Sequence, residues 1–403
     1  MKTEEQLKPS GFQRPPTLLV VLAFLGFISI GLPDAAIGIA WPSVRDVYSV
    51  RQQALGLVLL ASGLGYLLSS FGYGRISQVS GIGLVLTVST AMVSVAMFGF
   101  GLAPLWGIFL LCGALHGLGS GAIDSGLNAY AARHFPTRYL MWLHACYCAG
   151  AMMGPIIMTA VFASGQSYQQ GYFILGLSMA VMALLFLATQ KQWGREAAST
   201  STAHSSGGFF TALANVRILW QMLVFFLYTG LEVACSQWTF SILTESRQVS
   251  PVLASSAVAL FWAGLLCGRL VLGVVVDRLG TDRLIRLSLL CAVAGGILFA
   301  IPALPVGVTI AGLVLTGFGL APAFPCLVAR TPARVGNELS SPAIGLQIGA
   351  AMIGAAAVPG TLGMIAGQWG IALIAPGISL LLGVLFLLHE VLLRFPDVTP
   401  GEA

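Results

Sequence analysis

Twelve stretches of roughly twenty or more mostly apolar residues make up most of this chain: 17–43, 54–74, 81–103, 105–132, 139–164, 171–189, 217–243, 252–276, 284–303, 306–328, 341–367 and 370–393. A helix rising about 1.5 Å per residue needs about 20 such residues to cross the hydrocarbon of a bilayer. Water cannot be the solvent for so many of them. Of 403 residues, 57% are hydrophobic and only 8% charged, where a soluble protein carries about 25% charged residues. The pattern predicts an all-α membrane protein with twelve transmembrane helices. The net charge of +5 does not point to nucleic acid, because the basic residues are scattered at segment ends without a patch or aromatic interleaving.

The one long polar interruption, QKQWGREAASTSTAHSSGGFF at 190–210, is rich in Ser and Thr and divides the spans six and six. The organisation read from this is a polar tail 1–16, a six-helix half 17–189, a linker 190–212, a second half 213–394 and a tail 395–403. The apolar run after residue 16 is too long for a signal-peptide core and has no small-residue cleavage site, so no cleaved leader is expected. The seven cysteines all fall in apolar segments and read as small core residues.

Twelve spans put both termini on one side. That side holds sixteen of the nineteen Lys and Arg residues; only Arg45, Arg51 and Arg247 lie on the other. By the positive-inside rule the termini are cytoplasmic, in a plasma (inner) membrane. The halves also repeat with an offset near 200: LHGLGSGAI (115–123) parallels LTGFGLAPA (315–323), and Gly74 and Gly273 open equivalent turns. Duplicated six-span halves are what secondary transporters show, with the site between them near the midplane.

Only three of the fourteen acidic residues lie well inside spans: Asp34, Asp124 and Glu232. Each costs about 2.5–3.5 kcal/mol at a helix centre, so each is a functional candidate or a structural tie between helices. In GSGAIDSGLNAY (119–130), Asp124 belongs to a stripe spaced by four, His116, Ser120, Asp124 and Asn128, that shares one helix face and must look at protein or water. Pro33 next to Asp34 can kink span 1. Tyr228, Glu232 and Ser236 share a face of span 7, with Gln237 and Trp238 just beyond. Gln347 is the amide of span 11. Amides, carboxylates and an aromatic face suit a sugar, so Asn128, His116, His144, Tyr228, Gln237, Gln347, Trp41 and Trp238 are the candidate solute ligands. The tryptophans also fit interfacial belts. Arg269 reads as snorkelling to the cytoplasmic interface, Glu390 and Arg394 as a surface i, i+4 pair, and Gly150 to Gly154 as small-residue packing.

GVVVDRLGTDR (273–283) matches the Gly-x-x-x-Asp-Arg-x-Gly loop signature, and with it the chain resembles the major facilitator superfamily. The aspartate after GLP on span 1, D-x-x-x-N-x-Y on span 4 and WLHACYCAGAMMGP on span 5 resemble the fucose-permease-like branch, which includes proton–sugar symporters and sodium-dependent glucose carriers. The resemblance implies two six-helix bundles related by a pseudo-two-fold axis, working by alternating access. It implies Asp34 and Asp124 as proton-coupling carboxyls, and Glu232, at nearly the span-1 acid's position 198 residues on, is the third proton-coupling candidate. It makes Asn128 and His144 solute ligands, although His144 stands where the branch keeps an amide. It makes Gly273, Asp277, Arg278, Gly280 and Arg283 the cytoplasmic gating loop. In the first half Gln78 and Val79 replace the Asp-Arg pair, so any latch of that kind rests on Asp277 and Arg278.

The expected function is proton-coupled uptake of a small polar solute, a sugar, with no cofactor beyond the coupling ion, by a monomer. Low dielectric disfavours a charged carboxyl, which can then take a proton from one side and release it on rehydration at the other. Moving one charge across 100 mV yields about 2.3 kcal/mol, enough for roughly 50-fold accumulation. Sodium could replace the proton, and an exporter of amphipathic compounds is the alternative. An intramembrane enzyme using His116 and His144 is remote, since no GxSxG accompanies them.

Overall fold

The structure, a computed structural model, describes residues 17–135, 137–194, 211–395 and 397. The expected tail 1–16, most of the linker and most of the expected tail 395–403 lie outside the described residues, as does the side chain of Asp277. Fourteen α-helices carry the fold among the described residues: α1 Thr17–Asp34, α2 Ala36–Tyr48, α3 Leu55–Ser80, α4 Ile82–Leu102, α5 Trp106–His134, α6 Thr137–Ala163, α7 Tyr168–Thr189, α8 Val216–Ser241, α9 Pro251–Leu279, α10 Thr281–Ala300, α11 Val306–Leu320, α12 Ala323–Val335, α13 Asn337–Trp369 and α14 Ile374–Leu392. They form twelve candidate membrane spans, with α1 and α2 sharing the first and α11 and α12 the tenth. The outward faces are apolar, as at Leu68, Phe71, Leu111, Val274 and Leu380, because lipid rather than water bounds them.

The duplication is visible in the packing. In the first half span 1 pairs with span 5, 2 with 4 and 3 with 6; in the second, 7 pairs with 11, 8 with 10 and 9 with 12. Small residues allow these approaches. A Cβ on Gly150 would lie 2.0 Å from the Ile28 carbonyl oxygen, and one on Gly354 would lie 1.9 Å from that of Phe226. Gly150 and Gly154 are therefore packing residues of the α1–α6 seam. The helices run through the repeated loop sequences instead of turning at Gly74 and Gly273. The matching turns sit at Gly81 and Gly280, with φ 80° and 75°, values that favour glycine.

Span 1 breaks at Ala35, where the Asp34 carbonyl accepts a hydrogen bond from Gln237 Nε2 of the other half at 2.8 Å. A carbonyl pulled sideways in this way is lost to its own helix. Span 10 breaks between Leu320 and Ala323 around Pro322. Interrupted helices at this depth are tolerated where they line a cavity.

The halves meet through spans 5 and 8 and through spans 2 and 11. Gly56, Gly63 and Gly74 lie along one face of α3, and Gly360 and Gly349 along one face of α13, at about 100° per residue. A Cβ at Gly56 would meet Gly360 Cα at 2.8 Å, one at Gly63 first meets Met352 O at 3.6 Å, and at Gly74 and Gly349 nothing lies within 4 Å. The two helices thus touch at one end and diverge toward the end richer in Lys and Arg, called here the basic end. The closed end is tied by Arg45 Nη1 to Glu245 at 3.1 Å and by Thr159 Oγ1 to Ser255 Oγ at 2.5 Å.

Candidate functional site

Between the halves lies a cavity of about 270 Å³, lined from both. The first half contributes two carboxyls. Asp34, beside the break in span 1, accepts from the Tyr147 hydroxyl at 2.5 Å, and His116 Nε2 stands 3.6 Å from its other oxygen. Asp124 accepts from the Tyr66 hydroxyl at 2.6 Å and from Asn128 Nδ2 at 3.0 Å. His116 is held between Ser62 Oγ, 3.1 Å from Nδ1, and Ser120 Oγ, 3.3 Å from Nε2. No Lys or Arg pairs with Asp34 or Asp124 among the described residues.

The second half is built differently. Glu232 accepts from the Tyr228 hydroxyl and lies 3.8 Å from Arg269 Nη2. Arg269 reaches across to the first half, where Nη1 donates to the His144 carbonyl and contacts Cys148 Sγ, both at 3.0 Å. Trp262 Nε1 donates to Ser236 Oγ at 3.0 Å, and its ring meets Tyr147 edge-on. Phe27, Ile30, Met97, Phe100, Phe324 and Met352 supply apolar wall. A polar rim on an apolar wall holds a small solute and orients it.

Residues 22–359 match the family model described as Major Facilitator Superfamily, and 241–402 match it again. The chain belongs to the major facilitator superfamily. It is 25% identical to bypass of stop codon protein 6 of Saccharomyces cerevisiae over 67% of this chain, and the match spans 60% of that protein's length. It is 21% identical to the glucose/mannose transporter GlcP of Bacillus subtilis over 77% of this chain and 78% of the relative. Among solved structures, a point mutant of the nucleoside transporter NupG superposes with a TM-score of 0.78 at 12% identity, covering 94% of this chain and 99% of that one. A point mutant of the Escherichia coli fucose:proton symporter FucP superposes with 0.63 at 16% identity, covering 93% and 98%. At such identities the superpositions establish the fold, two six-helix bundles, and the family establishes a multi-pass secondary transporter.

In this transporter the cavity collects Asp34, Asp124, Glu232, His116, His144, Tyr228 and Gln237 from the candidates read in the sequence. It leaves others out. Asn128 is spent on Asp124 and does not line the cavity. Gln347 donates to Gln221 and accepts from Thr331 inside the second bundle. Trp41 and Trp238 belong neither to the cavity nor to an interfacial belt: both are fully buried, Trp238 donating to the Pro359 carbonyl and Trp41 packing on Trp106.

Arg269 does not snorkel. Helix α9 continues for ten residues beyond it to Leu279, about 15 Å of helix, so its head lies deep in the cavity wall with 12% of the side chain exposed. The outer ion pairs differ as well. Glu390 pairs with Arg286 at 2.7 Å instead of Arg394. In the gating loop Arg278 and Arg283 are exposed and Gly280 makes the turn, while the neighbouring Asp282 binds Arg330 at 2.8 Å and Arg334 at 3.0 Å, and Arg330 also holds Asp397 at 2.9 Å. Of the cysteines, all free, only Cys148 and Cys235 are buried and Cys267 is exposed. Sequence reasoning missed Tyr66, Tyr147 and the depth of Arg269. A tyrosine facing lipid and one facing a cavity carry the same local signal.

Proposed function

We propose that this transporter takes up a small polar solute, a sugar, in symport with protons, with Asp34 and Asp124 as the proton carriers. One observation carries the reading: two carboxyls line a single cavity, each hydrogen-bonded by a tyrosine and neither paired with Lys or Arg among the described residues. A carboxylate without a cation is costly at this depth unless it holds a proton. Protonation would permit the cavity to close, and opening toward the basic end would rehydrate the acids and release the proton. The halves would rock about this site, with both termini on the cytoplasmic side of a plasma membrane, consistent with the basic end. The names of GlcP, a glucose/mannose transporter, and FucP, a fucose:proton symporter, support sugar and proton. His144 lines the cavity, and the proposed role for it is that of a solute ligand.

The test is transport in proteoliposomes. Asp34→Asn and Asp124→Asn are each expected to abolish uphill uptake while sparing exchange of labelled for unlabelled solute. Wild-type uptake should also alkalinise the outer medium. Unimpaired uphill uptake in both variants would falsify the carrier assignment, and strict sodium dependence without a pH signal would move the coupling to sodium. A second reading, a proton-coupled exporter of amphipathic compounds, is favoured by the apolar wall of Phe27, Phe100, Phe324 and Met352. Extrusion of a cationic dye distinguishes it.

A further inference from the structure

Arg269 is a guanidinium with unused capacity. Nη1 is occupied by the His144 carbonyl and Cys148 Sγ. Nε is buried with no hydrogen-bond partner among the described residues, Nη2 reaches Glu232 only at 3.8 Å, outside hydrogen-bond range, and the Tyr228 hydroxyl is the other group beside the guanidinium. The Nε–Nη2 edge is the fork that grips a planar carboxylate with two parallel bonds. It belongs to a side chain that lines the cavity. A buried donor left unmade is expensive, and Glu232, which accepts from the Tyr228 hydroxyl, stands too far away to make it.

We propose that Arg269 seats a carboxylate carried by the solute, so that the transported sugar is an acidic one, of the uronate class. This rests on the reading of the cavity as a proton-coupled sugar site. The carboxylate would close on the free edge of Arg269. The ring would lie against the apolar wall that includes Phe324 and Met352, and Gln237 Oε1, which has no hydrogen-bond partner among the described residues, would accept from one of the sugar's own hydroxyls. A proton on Asp34 or Asp124 offsets the solute's negative charge, so the loaded cavity gains no net charge. Arg269 also spans both halves, so a carboxylate on it is felt where spans 5 and 8 meet.

The experiment compares radiolabelled D-glucuronate with D-glucose in proteoliposomes holding the full chain under an inward proton gradient. Glucuronate is expected to accumulate about tenfold or more faster than glucose. Arg269→Lys keeps the charge beside Glu232 but loses the fork, and should raise the glucuronate KM about 10- to 100-fold with kcat little changed. Elution of the variant as a monodisperse peak confirms that it folds. Faster uptake of glucose than of glucuronate overturns the inference and leaves the proton-coupled sugar reading standing. Gradient-driven uptake of neither sugar overturns both. An unchanged glucuronate KM in Arg269→Lys removes Arg269 from the site.

Discussion

The two walls of the cavity descend from one repeat and have opposite electrostatics. Asp34 and Glu232 stand at nearly equivalent places in spans 1 and 7, each hydrogen-bonded by a tyrosine, Tyr147 for one and Tyr228 for the other. Glu232 has Arg269 beside it; among the described residues no Lys or Arg pairs with Asp34 or Asp124, and the imidazole 3.6 Å from Asp34, His116, is itself held by Ser62 and Ser120. A buried acid with a cation beside it is offset by that cation, whereas a carboxyl without one is costly at the same depth. The repeat therefore supplied one scaffold twice, and a single arginine separates the two walls.

The comparison breaks most sharply at Arg269. Arg269→Ala should destabilise the protein by about 3–5 kcal/mol, because it strands Glu232 as an uncompensated buried charge. Adding Glu232→Gln should recover most of that loss in a thermal-unfolding assay. Asp34→Asn, by contrast, is expected to leave the unfolding temperature near wild type. If Arg269→Ala unfolds no earlier than Asp34→Asn, the two walls are electrostatically alike and the distinction fails. Next in size is Tyr147→Phe, which removes a hydrogen bond to Asp34 and should slow proton-driven uptake about 10-fold or more. An unaltered rate would take Tyr147 out of the proton site.

Smaller effects test the two ends. Arg45→Ala removes the tie to Glu245 at the closed end, a partly exposed pair worth about 1 kcal/mol. The population open at that end should rise roughly fivefold, read as faster thiol labelling of a cysteine introduced at Gln53. No change in labelling would mean that the Gly56–Gly360 contact and the Thr159–Ser255 hydrogen bond hold the end shut without it. Smallest of all, Gln347→Leu should leave the solute KM within about twofold of wild type, since Gln347 faces Gln221 and Thr331. It should still cost about 1–3 kcal/mol of stability for the buried partners left unpaired. A large rise in KM would return Gln347 to the site.

How much of this was legible along the chain depends on the range of the signal. The stripe His116, Ser120 and Asp124 was legible because four-residue spacing places side chains on one helix face. The same spacing carried the prediction one turn too far, to Asn128, which ends against Asp124 outside the cavity. Trp41, Trp238 and Gln347 were chosen for chemistry without any sign of direction, and all three point into bundle cores. Arg269 was misread because its distance from the interface depends on where α9 ends, at Leu279, and not on where the apolar run fades.

The sequence by itself determined the solvent, the number of spans, the duplication and the three acids that had to face something other than lipid. These follow from the free energy of moving each residue type out of water, which is a property of composition and spacing. Only the tertiary structure decided which acid has a cation, which tyrosines hold them, and that the halves are parted at the basic end. Those depend on distances between residues as far apart as Gln237 and Asp34 or Arg269 and His144, and helix packing sets such distances without leaving a local trace.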